Sequence, residues 1–335
     1  DPDVLWIGNV FGGCRKSDVR PLKDGQDVPN SDIILTPNPN KIPSGFAART
    51  RVLAGWVENV YGGNDISGNV YGGNTIGIFT TIHGNVYGGG NGSYAYTDNP
   101  ALKDDKIWCD FYYEVPGGMT SVEALNSHRP NAEQVSIRVH GIGEKNKKPG
   151  ESDKPTYIEG AVYVGGNSAT LHELTEIPQR KAELKLGSYV TIDKVFLGNN
   201  GENMIDASAD GVLAKYAGTV GNDVDFSTLD LTSEATFAEY MKGCAMAIVP
   251  SLVFDDEEKG EPETYSPYTS WIGSFYCGGN VGSMILNDAT TIDFDHEVNI
   301  FDKFVGGCNN ANVAPTDYNA RFEGGFMTPG SIGPT

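Results

Sequence analysis

The chain has 335 residues, with 44 acidic and 24 basic side chains and a net charge of −20. A field of that sign repels nucleic acid and other polyanions, and its ordinary role is solubility. Hydrophobic residues make up 39% and Gly numbers 43, which excludes a disordered chain; no collagen-like period accompanies the glycines, so they serve defined turns.

In chain order, the first recognisable element is Gly8-Asn-Val-Phe-Gly-Gly-Cys14. It returns as Glu58-Asn-Val-Tyr-Gly-Gly-Asn64, Gly68-Asn-Val-Tyr-Gly-Gly-Asn74 and Gly84-Asn-Val-Tyr-Gly-Gly-Gly-Asn91. Degraded copies follow at Ala161–Asn167, Lys194–Asn200, Ser274–Asn280 and Lys303–Asn309. A phrase repeated through a chain predicts stacked units that contact mainly their neighbours, here one elongated domain over 1–335. The first glycines (Gly12, Gly62, Gly72, Gly88, Gly165, Gly198, Gly278, Gly306) are separated by 50, 10, 16, 77, 33, 80 and 28 residues. The gaps of 10 and 16 read as single turns of a coil, and the long ones as coils carrying excursions. Four later copies place one residue (Val164, Leu197, Cys277, Val305) between aromatic and glycine. An inserted residue reverses side-chain facing in a strand, which predicts a bulge or shifted turn and a change of coil shape between Gly90 and Gly160.

Short β-rich runs surround the phrases: Val135–Val139, Tyr189–Leu197 and Ala289–Ile300. Strands this short need a neighbour above and below. The paired glycines supply positive φ or close backbone approach at corners. Asn64, Asn74, Asn91, Asn167, Asn200, Asn280 and Asn309 are expected to form a hydrogen-bonded row along the stack.

Three segments interrupt the pattern: about 14–50, Pro-rich and polar; 92–157, with an aromatic run Ile107–Glu114; and 201–270. Two short helices are expected, one opened by Thr120 with Glu123 three residues on. The other runs from Thr232 to Lys242 and stops at Gly243.

The repeated phrase with Asn-rich turns resembles those of large exported surface proteins of gut Bacteroidetes. The coil pattern is similar to the right-handed parallel β-helix, or pectin-lyase-like, superfamily, over residues 4–14, 52–91, 158–200 and 271–310. The resemblance implies an all-β solenoid and an extracellular or cell-surface location. It leaves activity open, because that superfamily holds lyases, hydrolases and adhesins.

Catalysis on a polysaccharide needs carboxylates gathered around one sugar bond, with a base for lyase chemistry. Asp193, Asp293 and Asp295 lie on strand-like runs where they can align with Glu159. Asp beside a turn has its own hydrogen-bonding use, so no catalytic residue is assigned. His83, His140 and His296 read as ordinary half-exposed histidines at strand ends or turns. Asp255-Asp-Glu-Glu258 lacks the spaced oxygens of a calcium loop; no metal site or cofactor is assigned, and calcium stays open.

Aromatic clusters are the better binding candidates, because rings on loops over a rigid scaffold stack on sugars. The residues chosen are Trp108, Tyr112, Tyr113, Tyr265, Tyr268 and Trp271, with Tyr94 and Tyr96 nearby. The function expected first is a non-enzymatic, adhesin-like protein that binds a glycan or host-surface component. A polysaccharide lyase or glycoside hydrolase comes next, then a structural stalk segment of a larger surface protein. Five cysteines without a Cys-x-x-Cys pair read as buried thiols, Cys14 and Cys277 among them. No apolar run approaches the ~20 residues that span a bilayer. The start at Asp1 is read as a mature, exported form, and oligomeric state is left open.

Overall fold

The computed structural model describes residues 5–20, 22–23, 26–27, 48–141, 155–171, 182–186, 190–201, 250–254, 270–280, 284–285, 298–306, 309 and 313–314. These are nearly all strands and turns, and the three large sheets are parallel throughout.

The first sheet has seven strands in the order Trp6–Phe11, Trp56–Tyr61, Val86–Tyr87, Thr156–Tyr163, Val190–Phe196, Ser270–Tyr276 and Val298–Val305. The second holds Asn69–Val70, Asn131–Ala132 and Thr170–Leu171. The third holds Ala48–Val52, Asn74–Ile78, Val135–Val139, Ala182–Leu186 and Pro250–Phe254. The chain visits them cyclically: Trp56–Tyr61 in the first, Asn69–Val70 in the second, Asn74–Ile78 in the third, then Val86–Tyr87 back in the first.

Register is held along the first sheet, so like residues stack. One inward column runs Ile7, Val57, Ile82, Ile158, Ile192, Ile272, Ile300. A second runs Val10, Val60, Val86, Val162, Val195, Phe275, Phe304. With Ile76, Ile137 and Leu184 from the third sheet they form one apolar core. Parallel in-register stacking is what lets a repeated phrase bury the same side chain in every circuit.

The aromatic of the phrase forms its own column on this sheet. Phe11, Tyr61, Tyr87, Tyr163, Phe196 and Tyr276 stack with ring centroids 4.4 to 5.0 Å apart, planes within 10°. Burial, with the nearby Asp65 charge second, pushes the Tyr61 phenol up to about 12.

Three expectations are corrected here. The gaps of 10 and 16 are two parts of one circuit: the copy around Tyr71 enters the second sheet through Asn69–Val70, while Tyr61 pairs with Tyr87. The later copies contain no insertion. Val164, Leu197 and Cys277 occupy the place of Gly62 and Gly88, the register runs unbroken through Tyr61, Tyr87, Tyr163, Phe196 and Tyr276, and Val305 takes the aromatic position. Their side chains are buried in the core, where Ile76 and Val135 fill the same space beside Gly62 and Gly88. The irregularities lie before the phrase, between Ile158 and Ala161 and opposite Ile272–Ser274. The two glycine pairs also differ: Gly72 and Gly73 have φ of 77° and 83°, whereas Gly62 and Gly63 bond across to Tyr87 and Gly89 without positive φ.

The segments read as excursions are narrower. Val19 bridges to Val70 and Ala48–Val52 lies in the third sheet, so both belong to the first circuit. Residues 131–139 rejoin the second and third sheets. Between 92 and 130 the chain forms a side unit with the strands Tyr96–Thr97 and Phe111–Tyr112, the short 3-10 helix Pro100–Leu102 and the α-helix Ser121–His128. That α-helix follows Thr120 as expected; the second expected helix lies outside the described residues.

Candidate functional site

Two positions of the phrase carry polar rows. Asn91 donates to Asp65 at 3.0 Å, Asn167 to Asn91 at 3.0 Å, and Asn200 to Asn167 at 2.8 Å. Asn280 donates to Asn200 at 2.9 Å and Asn309 to Asn280 at 2.8 Å. The row begins with an ion pair, Arg15 to Asp65 at 3.8 Å. Asn64 and Asn74 stand outside it. Asn64 sits one residue before the row position, accepting from the Cys14 N–H and donating to Ser17 and Ser67; Asn74 belongs to the third sheet and donates to Gly88. A shorter row joins Asn9, Asn59 and Asn85, ending on the Ala161 N–H.

The side unit over 92–130 has a small core of Ile66, Tyr96, Tyr113, Ala124 and Leu125, with Tyr94 and Phe111 against it. Asp65 anchors it by accepting from the Tyr94 hydroxyl at 2.7 Å. Burial first, and that Asp65 contact second, push the Tyr94 phenol up to about 12. Arg129 is buried, donates to the Gly92 and Ser168 carbonyls and lies 4.8 Å over the Tyr96 ring. At the far side a turn is pinned by Asp105, whose carboxylate accepts from the Ile107 N–H and whose carbonyl accepts from the Trp108 and Cys109 N–H groups. That turn holds Ile107 86% and Trp108 58% exposed.

Of the candidate aromatics, Trp108 and Tyr112 lie on this unit, with Lys103 5.0 Å over the Tyr112 ring. Tyr113, at 3% exposure, faces the unit's core and donates to the Ser121 carbonyl. Trp271 lies in the strand Ser270–Tyr276 of the first sheet, not on a loop. Tyr265 and Tyr268 lie outside the described residues.

The sequence reading missed a second aromatic row. Trp6 and Trp56 pair in register with centroids 4.2 Å apart, and His83 stacks on Trp56 at 4.4 Å. Trp-Ile-Gly at 6–8 and 271–273 and Trp-Val-Glu at 56–58 carried the signal, each Trp five residues before Phe11, Tyr276 or Tyr61. His83 is therefore no isolated turn residue: its Nδ1 meets Glu159 at 3.0 Å. Glu159 follows Ile158, and Asp193 follows its strand partner Ile192, so the two acids are neighbours on adjacent strands; Lys194 meets Asp193 at 3.0 Å. Asp293, Asp295, His296 and 255–258 lie outside the described residues. His140 is buried rather than half-exposed, stacked on Phe79 and bonded to Arg138, and its carbonyl accepts from the Thr156 hydroxyl. Cys14 is exposed on the first circuit, not buried; Cys109 and Cys277 are buried thiols. Among the described residues no group of three or more metal-ligating side chains gathers.

His128 stacks on Tyr113 and meets the edge of Tyr96 at the base of the side unit. Burial first, then the Arg129 and Lys16 charges, lower its pKa below 6.5. A lowered pKa means the unfolded unit binds the proton better, so stability is complete above 6.5 and falls as pH drops below it. Amide exchange over 94–128, corrected for intrinsic rate, is expected to quicken below pH 6.5. His128→Phe is expected to remove that dependence, and unchanged protection down to pH 4.5 would contradict it.

No protein-family model, curated protein or solved structure matches this chain. Among the described residues no helix is long and apolar enough to cross a membrane.

Proposed function

We propose that the chain is a right-handed parallel β-helix solenoid and an exported, adhesin-like binding protein of the cell surface. It engages a glycan or another surface component through the side unit over 92–130. The cyclic visits to three parallel sheets support the solenoid. The observation that carries the binding reading is Trp108, held out on a hydrogen-bonded turn of a packed unit. A large ring kept in water on a rigid support loses little entropy on binding and offers its face to a sugar or an apolar anchor to a protein.

The test is affinity electrophoresis of the 335-residue chain against acidic and neutral polysaccharides, with and without calcium, while product is followed as new reducing ends and 235 nm absorbance. Retardation by at least one polysaccharide, reduced tenfold or more in Trp108→Ala, is the expected result. Binding that ignores Trp108→Ala would remove the side unit from the account.

One observation favours polysaccharide cleavage as a second reading: Glu159 and Asp193 directly follow the paired residues Ile158 and Ile192 on adjacent strands, with His83 on Glu159. Glycoside cleavage uses two carboxylates placed around one sugar bond. Product formation lost in both Glu159→Gln and Asp193→Asn would establish it over the adhesin.

A further inference from the structure

The outward face of the seven-stranded sheet carries a column that neither the repeated phrase nor the side unit uses. Val57, Ile82 and Ile158 bridge in order and lie in the core. The residues before them, Trp56, Thr81 and Tyr157, therefore face out, since side chains alternate along a strand. Tyr157 pairs with Thr191, and Thr191 with Trp271, which carries the column across two more strands. Rings thus stand on alternate strands with a threonine between them. Tyr157 is 44% exposed, and Trp56 and Trp271 are half-buried. Trp56 is fixed by its stack on His83 at 4.4 Å.

Two strand spacings put successive rings ~9.6 Å apart at the backbone. That period selects the ligand. An extended peptide repeats its face every ~6.8 Å and falls out of step. A ribbon of 1,4-linked pyranoses joined through equatorial bonds advances about one strand spacing per sugar and turns over at each link. Every second sugar then offers the same apolar face to a ring.

Charge narrows the choice. Glu58 stands two residues beyond Trp56, and Glu159 two beyond Tyr157, on the same outward face. Asp193 stands two beyond Thr191. Beside these three carboxylates are Lys194, which meets Asp193 at 3.0 Å, and His83, which meets Glu159. Such a face on a chain of −20 attracts a cationic ligand and repels uronate or sulfate chains. In a 1,4-linked ribbon the sugars that share a face also turn their C2 substituents to one edge, which sets amines there beside Glu58 and Glu159.

We propose that this face binds a linear amine-bearing polysaccharide, a β-1,4-linked glucosamine chain that crosses the strands with Trp56, Tyr157 and Trp271 under every second sugar. The site is separate from the side unit and does not rest on the Trp108 reading.

The test is calorimetric titration of the full chain, at weakly acidic pH, with a glucosamine oligomer that spans the three rings, about six sugars. A cello-oligosaccharide of equal length and an oligolysine of equal charge are the comparisons. The glucosamine oligomer is expected to bind at least tenfold more tightly than either, and more weakly at about 500 mM than at about 50 mM salt. Tyr157→Ala is expected to cut that binding tenfold or more, and Tyr157→Phe to keep it. Glu58→Gln with Glu159→Gln is expected to bring the glucosamine oligomer down to the level of the cello-oligosaccharide. Circular dichroism of each variant must match the parent; where the double variant fails it, Glu58→Gln alone replaces it. No binding of the glucosamine oligomer would overturn the proposal, and so would equal or tighter binding of either comparison. Binding abolished by Trp108→Ala and spared by Tyr157→Ala belongs to the side unit; it would overturn this site while upholding the other.

Discussion

Gly88→Ala should destabilise the fold by at least ~3 kcal/mol, measured as the shift in chemical unfolding free energy. A β-carbon built there lies 2.1 Å from the Val164 carbonyl oxygen and 2.3 Å from Val135 Cγ1. Neither has room to retreat: the first is backbone of the adjacent circuit, the second a side chain of the sealed core. Overpacking a tight core costs ~1–3 kcal/mol when side chains can yield, and a fixed carbonyl puts this site at or beyond the upper end. The reciprocal change at the same position one circuit on, Val164→Gly, empties a fully buried site and should cost ~2–4 kcal/mol through the cavity and the freed backbone. A tolerated Gly88→Ala would mean that circuits slide past one another, which the held register forbids.

Asn167→Ala comes next, with an expected loss of ~2–4 kcal/mol. Asn167 donates to Asn91 and accepts from Asn200, and the Asn200 side chain is buried. Truncation strips both neighbours of a partner, at ~1–3 kcal/mol for each polar group left buried and unbonded. Asn167→Asp should fail nearly as badly, because a carboxylate cannot donate to the Asn91 oxygen. Asn64→Ala, off the row, strips the Cys14 N–H and the Ser17 and Ser67 carbonyls of a partner at a fully buried site and should cost at least as much as Asn167→Ala. Thermal unfolding of the three variants checks these losses, and an Asn167→Ala chain as stable as the parent would deny the row any energetic role.

Much of the fold was readable because the phrase repeats. Identical residues at matching positions are compatible with parallel in-register pairing, and five of the seven asparagines expected in a row do stack. Asn64 escaped because the row counts four residues from the aromatic, which at Tyr61 falls on Asp65. The shift of the glycines in the later copies looked like an insertion because spacing was counted from glycine. Counted from the aromatic, it is constant, and Val164, Leu197 and Cys277 are substitutions at the glycine position.

The candidate site was less legible. Trp108 was chosen for its ring, but its exposure depends on the Asp105 turn, and Tyr113, five residues on, is buried by a helix that no local pattern places over it. His83 gained meaning only from Trp56 and Glu159, the latter 76 residues away.

By itself the sequence determined that the chain would be built of short strands in stacked, repeating units, because aromatic, glycine and asparagine positions recur and each needs its equal above and below. Tertiary structure alone decided which copies align. Asn59-Val-Tyr-Gly-Gly-Asn64 and Asn69-Val-Tyr-Gly-Gly-Asn74 are identical, yet one lies in the seven-stranded sheet and the other turns a different corner with both glycines at positive φ. Six residues cannot distinguish those outcomes; the partners that do, Val86–Tyr87 on one side and Asn131–Ala132 on the other, arrive from distant circuits.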